Sequence, residues 1–566
     1  MRILVGLALV LVSSTFADET APIVRTHSGS IRGHWQVSQR GRQFQAYEGI
    51  PYAQPPVGEL RFKPPQPIGT WAGELSATKR ATKCIQYEIL YDDPADRVSG
   101  SEDCLYLNVY TPVEQNSSSR RNEQLLPVIF YIHAGAFQMD EGTQHPHYLM
   151  NEDVVLVSIN YRLGPLGFLS TGDAVVPGNM GLKDQNLALR WISENIEAFG
   201  GDPKRVTLAG LSAGAASVHY HYLSPMSRGL FQRGMSLSGT ALDCWAQTEN
   251  SPEKARELGA LMGCPTSSSE QLVDCLRTRP VKSILALTEH FLGWLYNPYT
   301  PFGPVVDKHS DEPFINKSPI DIVNSGEAAD LPWIASIVAE EGLCPAAEFI
   351  ANEVHVKELD KNWDSIAPHL LDYNYTIPST EHVRVARKIR EHYLGNNTIN
   401  GTTAKDLIHM LGDRLFVVDA EKAARSLARV SKSPIRFYRF NYRGEFSLSN
   451  PFTRTKKDFG VAHGDDDSYL FYDTFGSLST EEDLKMSANM VKLWTSFAST
   501  GVPDVGIEWP PVDPSKKELD YLHIKGPGQF SIESSANLGE KTFWSTIDFE
   551  ENKLIRISRA ARYSQH

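Results

Sequence analysis

The segment Arg205-Val-Thr-Leu-Ala-Gly210-Leu-Ser212-Ala-Gly214 sets a serine two residues from a glycine on either side. An apolar run precedes it, and a small-residue stretch able to start a helix follows. That is the setting in which a strand-turn-helix elbow exposes a nucleophilic hydroxyl. The glycine-serine string alone arises by chance as an ordinary turn, so the weight rests on this context. A serine hydroxyl is a weak nucleophile until a base takes its proton, so a histidine and an orienting carboxylate are required further along the chain. His463 lies in the polar, glycine-flanked loop Gly460-Val-Ala-His-Gly-Asp-Asp-Asp467, which suits an imidazole that projects into a site. The stretch Ala335-Ser-Ile-Val-Ala-Glu-Glu341-Gly342 brings an apolar strand to a carboxylate at its end, and spacing does not separate Glu340 from Glu341. Attack on a carbonyl also needs donors for the oxyanion. The loop His133-Ala-Gly-Ala-Phe137 follows an apolar strand, so the amides of Gly135, Ala136 and Ala213 are the candidates. Removing one such donor costs about 3 kcal/mol of barrier. The pairs His145-Pro-His147 and His219-Tyr-His221 have no Cys or carboxylate at a ligand spacing, so no metal and no cofactor are expected.

The elements needed to position these groups are legible. Val128 to Ile132, Val154 to Asn160 and Arg205 to Ala209 read as buried strands, and Asp184 to Phe199 as a helix ending at Gly200-Gly201-Asp202-Pro203. Their alternation predicts an α/β fold, a mostly parallel central sheet flanked by helices. A later helix is predicted over Glu482 to Ser499, with Met486, Met490, Leu493, Trp494 and Phe497 as core residues.

The chain has 566 residues, 41% hydrophobic and 22% charged, with a formal charge of −13. That composition is globular, and the absence of a basic patch argues against nucleic acid or an anionic membrane surface as partner. Residues 1–17, basic and then apolar with small residues before Ala17, read as a cleaved signal peptide that is too short to span a bilayer. Residues 18–566 carry no repeat or low-complexity linker and read as one domain. The polar, basic C-terminal residues argue against a membrane or lipid anchor there. A secreted, extracellular protein is expected. Six cysteines fit that compartment, and fifteen pairings of them are open. Glycosylation sequons occur at Asn116, Asn374, Asn396 and Asn400, with a poorer one at Asn316.

Longer motifs carry a family resemblance. Tyr47-Glu-Gly-Ile-Pro-Tyr-Ala-Gln-Pro-Pro-Val-Gly-Glu-Leu-Arg-Phe62, Glu102-Asp-Cys-Leu-Tyr-Leu-Asn-Val-Tyr110, Asn160-Tyr-Arg-Leu-Gly-Pro-Leu-Gly-Phe168 and the run from Gly178 to Gly214 span much of the chain. It resembles the type-B carboxylesterase and cholinesterase family, and within it the insect secreted esterases. The resemblance implies an α/β-hydrolase that cleaves small-molecule esters through an acyl-enzyme, with Ser212, Glu341 and His463 as triad, and so chooses Glu341 over Glu340. It implies the disulfides Cys84 to Cys104 and Cys264 to Cys275, leaving Cys244 and Cys344 free. Arg61 with Glu102 and Arg162 with Asp184 would be internal ion pairs, and Ser238 and Asp466 would buttress the acid and the histidine. The Asp465 to Asp467 run is then structural and not a calcium site.

Three departures bear on substrate. Ala134 and Ala136 replace the outer two of the family's three oxyanion-loop glycines. Their amides remain, but a positive φ at either would cost about 1 kcal/mol and the methyls narrow the pocket. No tryptophan lies between Cys84 and Cys104 to seat a quaternary ammonium, which argues against choline esters. The Gly-Leu-Ser elbow departs from the Gly-Gln-Ser of juvenile hormone esterases. A pocket wall is expected from Phe291 to Val306, including Trp294, Tyr296 and Phe302. Odorant or pheromone, dietary, hormone and xenobiotic esters are the candidate substrates. The alternative is a non-catalytic binding or sequestration protein of the same fold. Oligomeric state is left open.

Overall fold

The computed structural model describes residues 21–88, 97–112, 125–140, 142, 144–471 and 478–549. The signal segment, the Asn116 sequon and the C-terminal tail lie outside them. An eleven-stranded sheet runs through the molecule. Its strands in chain order are β1 (His34–Val37), β2 (Gln43–Pro51), β3 (Tyr106–Thr111), β4 (Leu126–Ile132), β5 (Val155–Ile159), β6 (Gly201–Leu211), β7 (Arg233–Leu237), β8 (Trp333–Val338), β9 (Ile435–Phe440), β10 (Leu519–Gly526) and β11 (Gln529–Ser535). Across the sheet the order is β11-β10-β9-β8-β7-β6-β4-β5-β3-β2-β1. From β10 to β5 neighbouring strands are parallel, and antiparallel strands extend both edges. The α/β reading therefore holds.

Both faces of the sheet are covered, so its central strands are continuously apolar. Along β4, Val128, Phe130 and Ile132 pack into one core while Ile129 and Tyr131 pack into the other, the period of two that a strand imposes. The first core takes helices α1 (Met180–Asn195), α2 (Ala213–Leu223) and α3 (Val418–Val430), and the second takes α4 (Glu481–Thr500). α4 shows why its boundaries were readable. The Thr480 hydroxyl accepts from the Asp483 amide at 3.0 Å, three acids occupy the first turn, and Gly501 at φ 79° ends the helix. Met486, Met490, Leu493, Trp494 and Phe497 are buried, each side chain contributing about 1.5–3 kcal/mol against its exposed state.

α1 begins four residues before the expected Asp184, and the expected last turn is a separate 3-10 turn over Ile196–Phe199. The early start has a tertiary cause. Asn179 takes a left-handed conformation, and its side-chain amide both donates to and accepts from the Val305 backbone (2.7 and 2.9 Å). The first turn is buried on all sides, so it shows no amphipathic period. A third apolar cluster, built around Trp363, Leu370, Ile389 and Leu411, fills the helical insertion between β8 and β9.

Candidate active site

Ser212 is the residue between β6 and α2, at φ 57° and ψ −118°. Its amide donates to the Leu237 carbonyl (2.8 Å), and its own carbonyl accepts from Ala216. A side chain at Gly214 would overlap the Ile132 and His133 carbonyls, and one at Gly210 the Gly214 backbone. Both glycines are therefore required by the close approach of the elbow to the end of β4.

Sheet register gathers the remaining groups. Gly210 is level with Ile132, Leu211 with Leu237, and Leu237 with Ser336. The segments leaving β4, β6, β7 and β8 thus emerge at one edge, the carboxyl ends of parallel strands, where α/β proteins place their sites. The His463 Nδ1 donates to Glu341 Oε2 at 2.7 Å, and the two side chains are 9% and 0% exposed. The other Glu341 oxygen accepts from the Ser238 hydroxyl (2.6 Å) and the Val338 amide (2.8 Å). Glu340 points elsewhere: its carboxylate accepts from the Val461 amide (2.7 Å), bracing the chain two residues before His463. His463 Nε2 is buried with no hydrogen-bond partner among the described residues. The residue lines a cavity of about 400 Å³ that Ser212 also lines.

Ala134, Gly135 and Ala136 line the same cavity. Among the described residues, the amides of Gly135, Ala136 and Ala213 donate to no protein group. The left-handed backbone falls on Gly135 (φ 93°), Ala136 (φ 52°) and Phe137 (φ 61°), and spares Ala134.

The three successive aspartates do three separate jobs. Asp465 accepts from the Leu448 and Ala462 amides (2.8 Å each), Asp466 from the Tyr438 hydroxyl (2.8 Å), and Asp467 from the Tyr131 hydroxyl (2.9 Å). Burial pushes the Asp466 carboxyl up to about 6, against the pull of Tyr438. Among the described residues Asp466 makes no hydrogen bond to His463; the two are close enough to interact as charges. Neither this run nor the two histidine pairs forms a metal cluster among the described residues. His219 accepts from the Ala241 amide, His221 bonds Ser227 and Gln185, and burial lowers both rings to about 3.

Both implied disulfides are formed, Cys84–Cys104 and Cys264–Cys275, while Cys244 and Cys344 enter no disulfide among the described residues. Arg61 meets Glu102 through two bonds of 2.7 Å, and Arg162 meets Asp184 at 2.8 and 2.7 Å.

The expected pocket wall is corrected. Trp294 packs on Phe349 and Phe302 on Phe291, within the interior, and Tyr296 binds Glu348 through its amide. From that segment Asn297, Pro298 and Tyr299 face the cavity instead. The larger apolar wall comes from Trp245, Leu415 and Phe416, which the sequence did not single out. Phe416 lies 4.6 Å from the His463 ring, in a π-helical turn over Asp413–Val417. That turn was not singled out in the sequence.

Comparison with known proteins agrees with this architecture. Residues 20–544 match the model of the carboxylesterase family. The chain belongs to that family. A carboxylic ester hydrolase of Bombus ignitus is 50% identical, the match covering 98% of this chain and 99% of the relative. Venom carboxylesterase-6 of Apis mellifera is 48% identical over 97% and 98% of the two chains. Among solved structures, juvenile hormone esterase from Manduca sexta, with OTFP covalently attached, superposes with a TM-score of 0.82 at 27% identity, covering 93% of this chain and 99% of that one. This carboxylesterase family member is a carboxylic ester hydrolase with an α/β-hydrolase fold.

Proposed function

We propose that the enzyme works by double displacement at Ser212. Its hydroxyl attacks the ester carbonyl and passes its proton to His463 Nε2, while Glu341 fixes the ring and stabilises the imidazolium. The amides of Gly135, Ala136 and Ala213 hold the oxyanion. The imidazolium then protonates the departing alkoxide, and water repeats the sequence on the acyl-enzyme. The observation that carries this reading is the 2.7 Å His463–Glu341 bond, which leaves Nε2 without a partner among the described residues, on a histidine that lines the same cavity as Ser212. Ser238 and Asp466 act behind these groups, the first as donor to Glu341 and the second as a buried charge near His463. The covalent OTFP adduct of the related esterase is in keeping with a nucleophilic residue in this fold.

A cavity of about 400 Å³ with Leu211, Trp245, Leu415, Phe416 and Phe471 in its wall suits esters with an apolar acyl or alcohol part. Odorant or pheromone, dietary, hormone and xenobiotic esters have that character. Secretion after removal of residues 1–17 is supported by their basic-then-apolar pattern, and the two disulfides are compatible with it; that residues 18–566 carry no repeat or low-complexity linker supports a single domain. Asn396 is exposed and open to a glycan, whereas the Asn400 side chain is held by Thr402.

The test is hydrolysis of a short and a medium-chain p-nitrophenyl ester at neutral pH by wild type and Ser212→Ala. Turnover by the wild type alone supports the mechanism, and the ratio of the two rates begins to define the pocket. Equal turnover by both would sink the role of Ser212.

A further inference from the structure

Three non-glycine residues within five positions, Ala136, Phe137 and Asp140, have φ of 52°, 61° and 90°. Each costs about 1 kcal/mol or more, so the turn relaxes unless its surroundings over-determine it. Its own bonds, from the Gln138 and Met139 amides to the Gly135 carbonyl (2.8 and 3.0 Å), close the turn but do not locate it in the site. At its centre Gly164 donates to the Phe137 carbonyl (2.7 Å). At its far end Asp140 is gripped on both backbone groups by one side chain. The Asp140 amide donates to Gln86 Oε1 at 2.6 Å, and Gln86 Nε2 donates to the Asp140 carbonyl at 3.0 Å. The primary amide thus imitates the paired edge of a neighbouring strand.

The anchor beneath that grip is itself held at several points. Gln86 is 1% exposed, and Nε2 also donates to the Cys84 carbonyl (3.0 Å). Its backbone pairs with Ser99 in a short antiparallel ladder, Ile85 donates to Ser101 (2.9 Å), and the Cys84–Cys104 bridge closes the loop. We propose that Gln86 is a positioning residue for ester hydrolysis: it ties the disulfide-closed loop to Asp140 and so fixes where the Gly135 and Ala136 amides stand relative to Ser212. The assignment rests on those amides forming the oxyanion site. Gln86 donates nothing to substrate in this role. Its effect reaches the reaction through the placement of the turn, and a misplacement of about 1 Å costs on the order of 100-fold in rate.

Gln86→Met removes both bonds at similar size. Gln86→Glu keeps the acceptor for the Asp140 amide but sets an anionic oxygen against the Asp140 and Cys84 carbonyls. For p-nitrophenyl butyrate, both variants are expected to lose about 10- to 100-fold in kcat with KM within about threefold. The melting temperature should move by only a few degrees. Affinity for a trifluoromethyl ketone, which binds as an oxyanion adduct, should fall in step with kcat/KM; a purely structural role would not produce that proportionality. If Gln86→Met does not fold, Gln86→Glu alone carries the comparison. Unchanged kcat, or a lower kcat with undiminished ketone affinity, overturns the clamp. Gly135→Ala separates the two levels of the argument. If it abolishes turnover while the Gln86 variants stay active, the clamp is wrong and the oxyanion site stands. If Gly135→Ala is also active, the oxyanion assignment falls and the clamp with it.

Discussion

At the scale of single residues, the two adjacent glutamates make the sharpest contrast. Glu341 hydrogen-bonds the imidazole, whereas among the described residues the Glu340 carboxylate hydrogen-bonds the Val461 backbone. Glu341→Gln is expected to lower kcat on the order of 10³- to 10⁴-fold, because the amide cannot hold the ring tautomer or stabilise the imidazolium. Glu340→Gln keeps an acceptor for Val461 and should lose less than about 10-fold. Steady-state kinetics of the two variants decides the matter, and equal losses would mean that the acid is not singled out. Gly135 gives a second prediction. Its φ of 93° and the closeness of the Met139 carbonyl leave no room for a methyl group. Gly135→Ala should lose at least about 100-fold in kcat, the scale of one missing oxyanion donor. Ala136, already at φ 52°, shows that the left-handed conformation alone is tolerated; crowding distinguishes the two positions.

At the scale of elements, helix α2 stores an acid sensitivity. His219 and His221 are fully buried on it, and both rings stay neutral down to about 3 in the folded chain. In the unfolded chain a histidine takes up its proton below about 6.5. Unfolding therefore binds protons between these values, and the stability that the buried neutral rings confer is present above about 6.5 and lost as pH falls toward 3. The slope is about 1.4 kcal/mol per pH unit for each ring in the middle of that window. His219→Gln should flatten the pH dependence of urea stability by about one proton, and an unchanged slope would refute the assignment. The same helix shows how legibility fades. Its start was readable because strand β6, the elbow glycines and the small residues follow one another in the chain. The role of its histidines was not, because the groups they bond, Ala241 on one side and Gln185 with Ser227 on the other, belong to other elements.

At the scale of the molecule, the Arg162–Asp184 pair joins the segment after β5 to helix α1. Arg162 is 4% exposed and Asp184 0%, and the arginine also donates to the Lys63 carbonyl at 2.7 Å. Asp184→Ala leaves a guanidinium in the interior without its counter-charge. The expected loss is about 3–5 kcal/mol of unfolding free energy, measured by urea denaturation. A loss below about 1 kcal/mol would mean that water or a rearranged partner replaces the carboxylate.

The sequence by itself determined the α/β class and, to within a residue at each end, the limits of α4, and it singled out the strand-turn-helix serine, the histidine loop and the segment proposed to hold the oxyanion. In each of these the signal is local: an apolar period, a glycine that a turn requires, or a cap beside the helix it starts. Spacing left the two glutamates open and the family resemblance pointed to Glu341, which the ring meets in the structure. The tertiary structure alone decided that Ala136 and not Ala134 takes the left-handed backbone, and that Trp245, Leu415 and Phe416 wall the cavity. It also moved Trp294 and Phe302 into the interior and brought Gln86 against Asp140. Those contacts join residues that lie far apart in the chain, and their direction depends on sheet register and side-chain packing, which neighbouring residues do not encode.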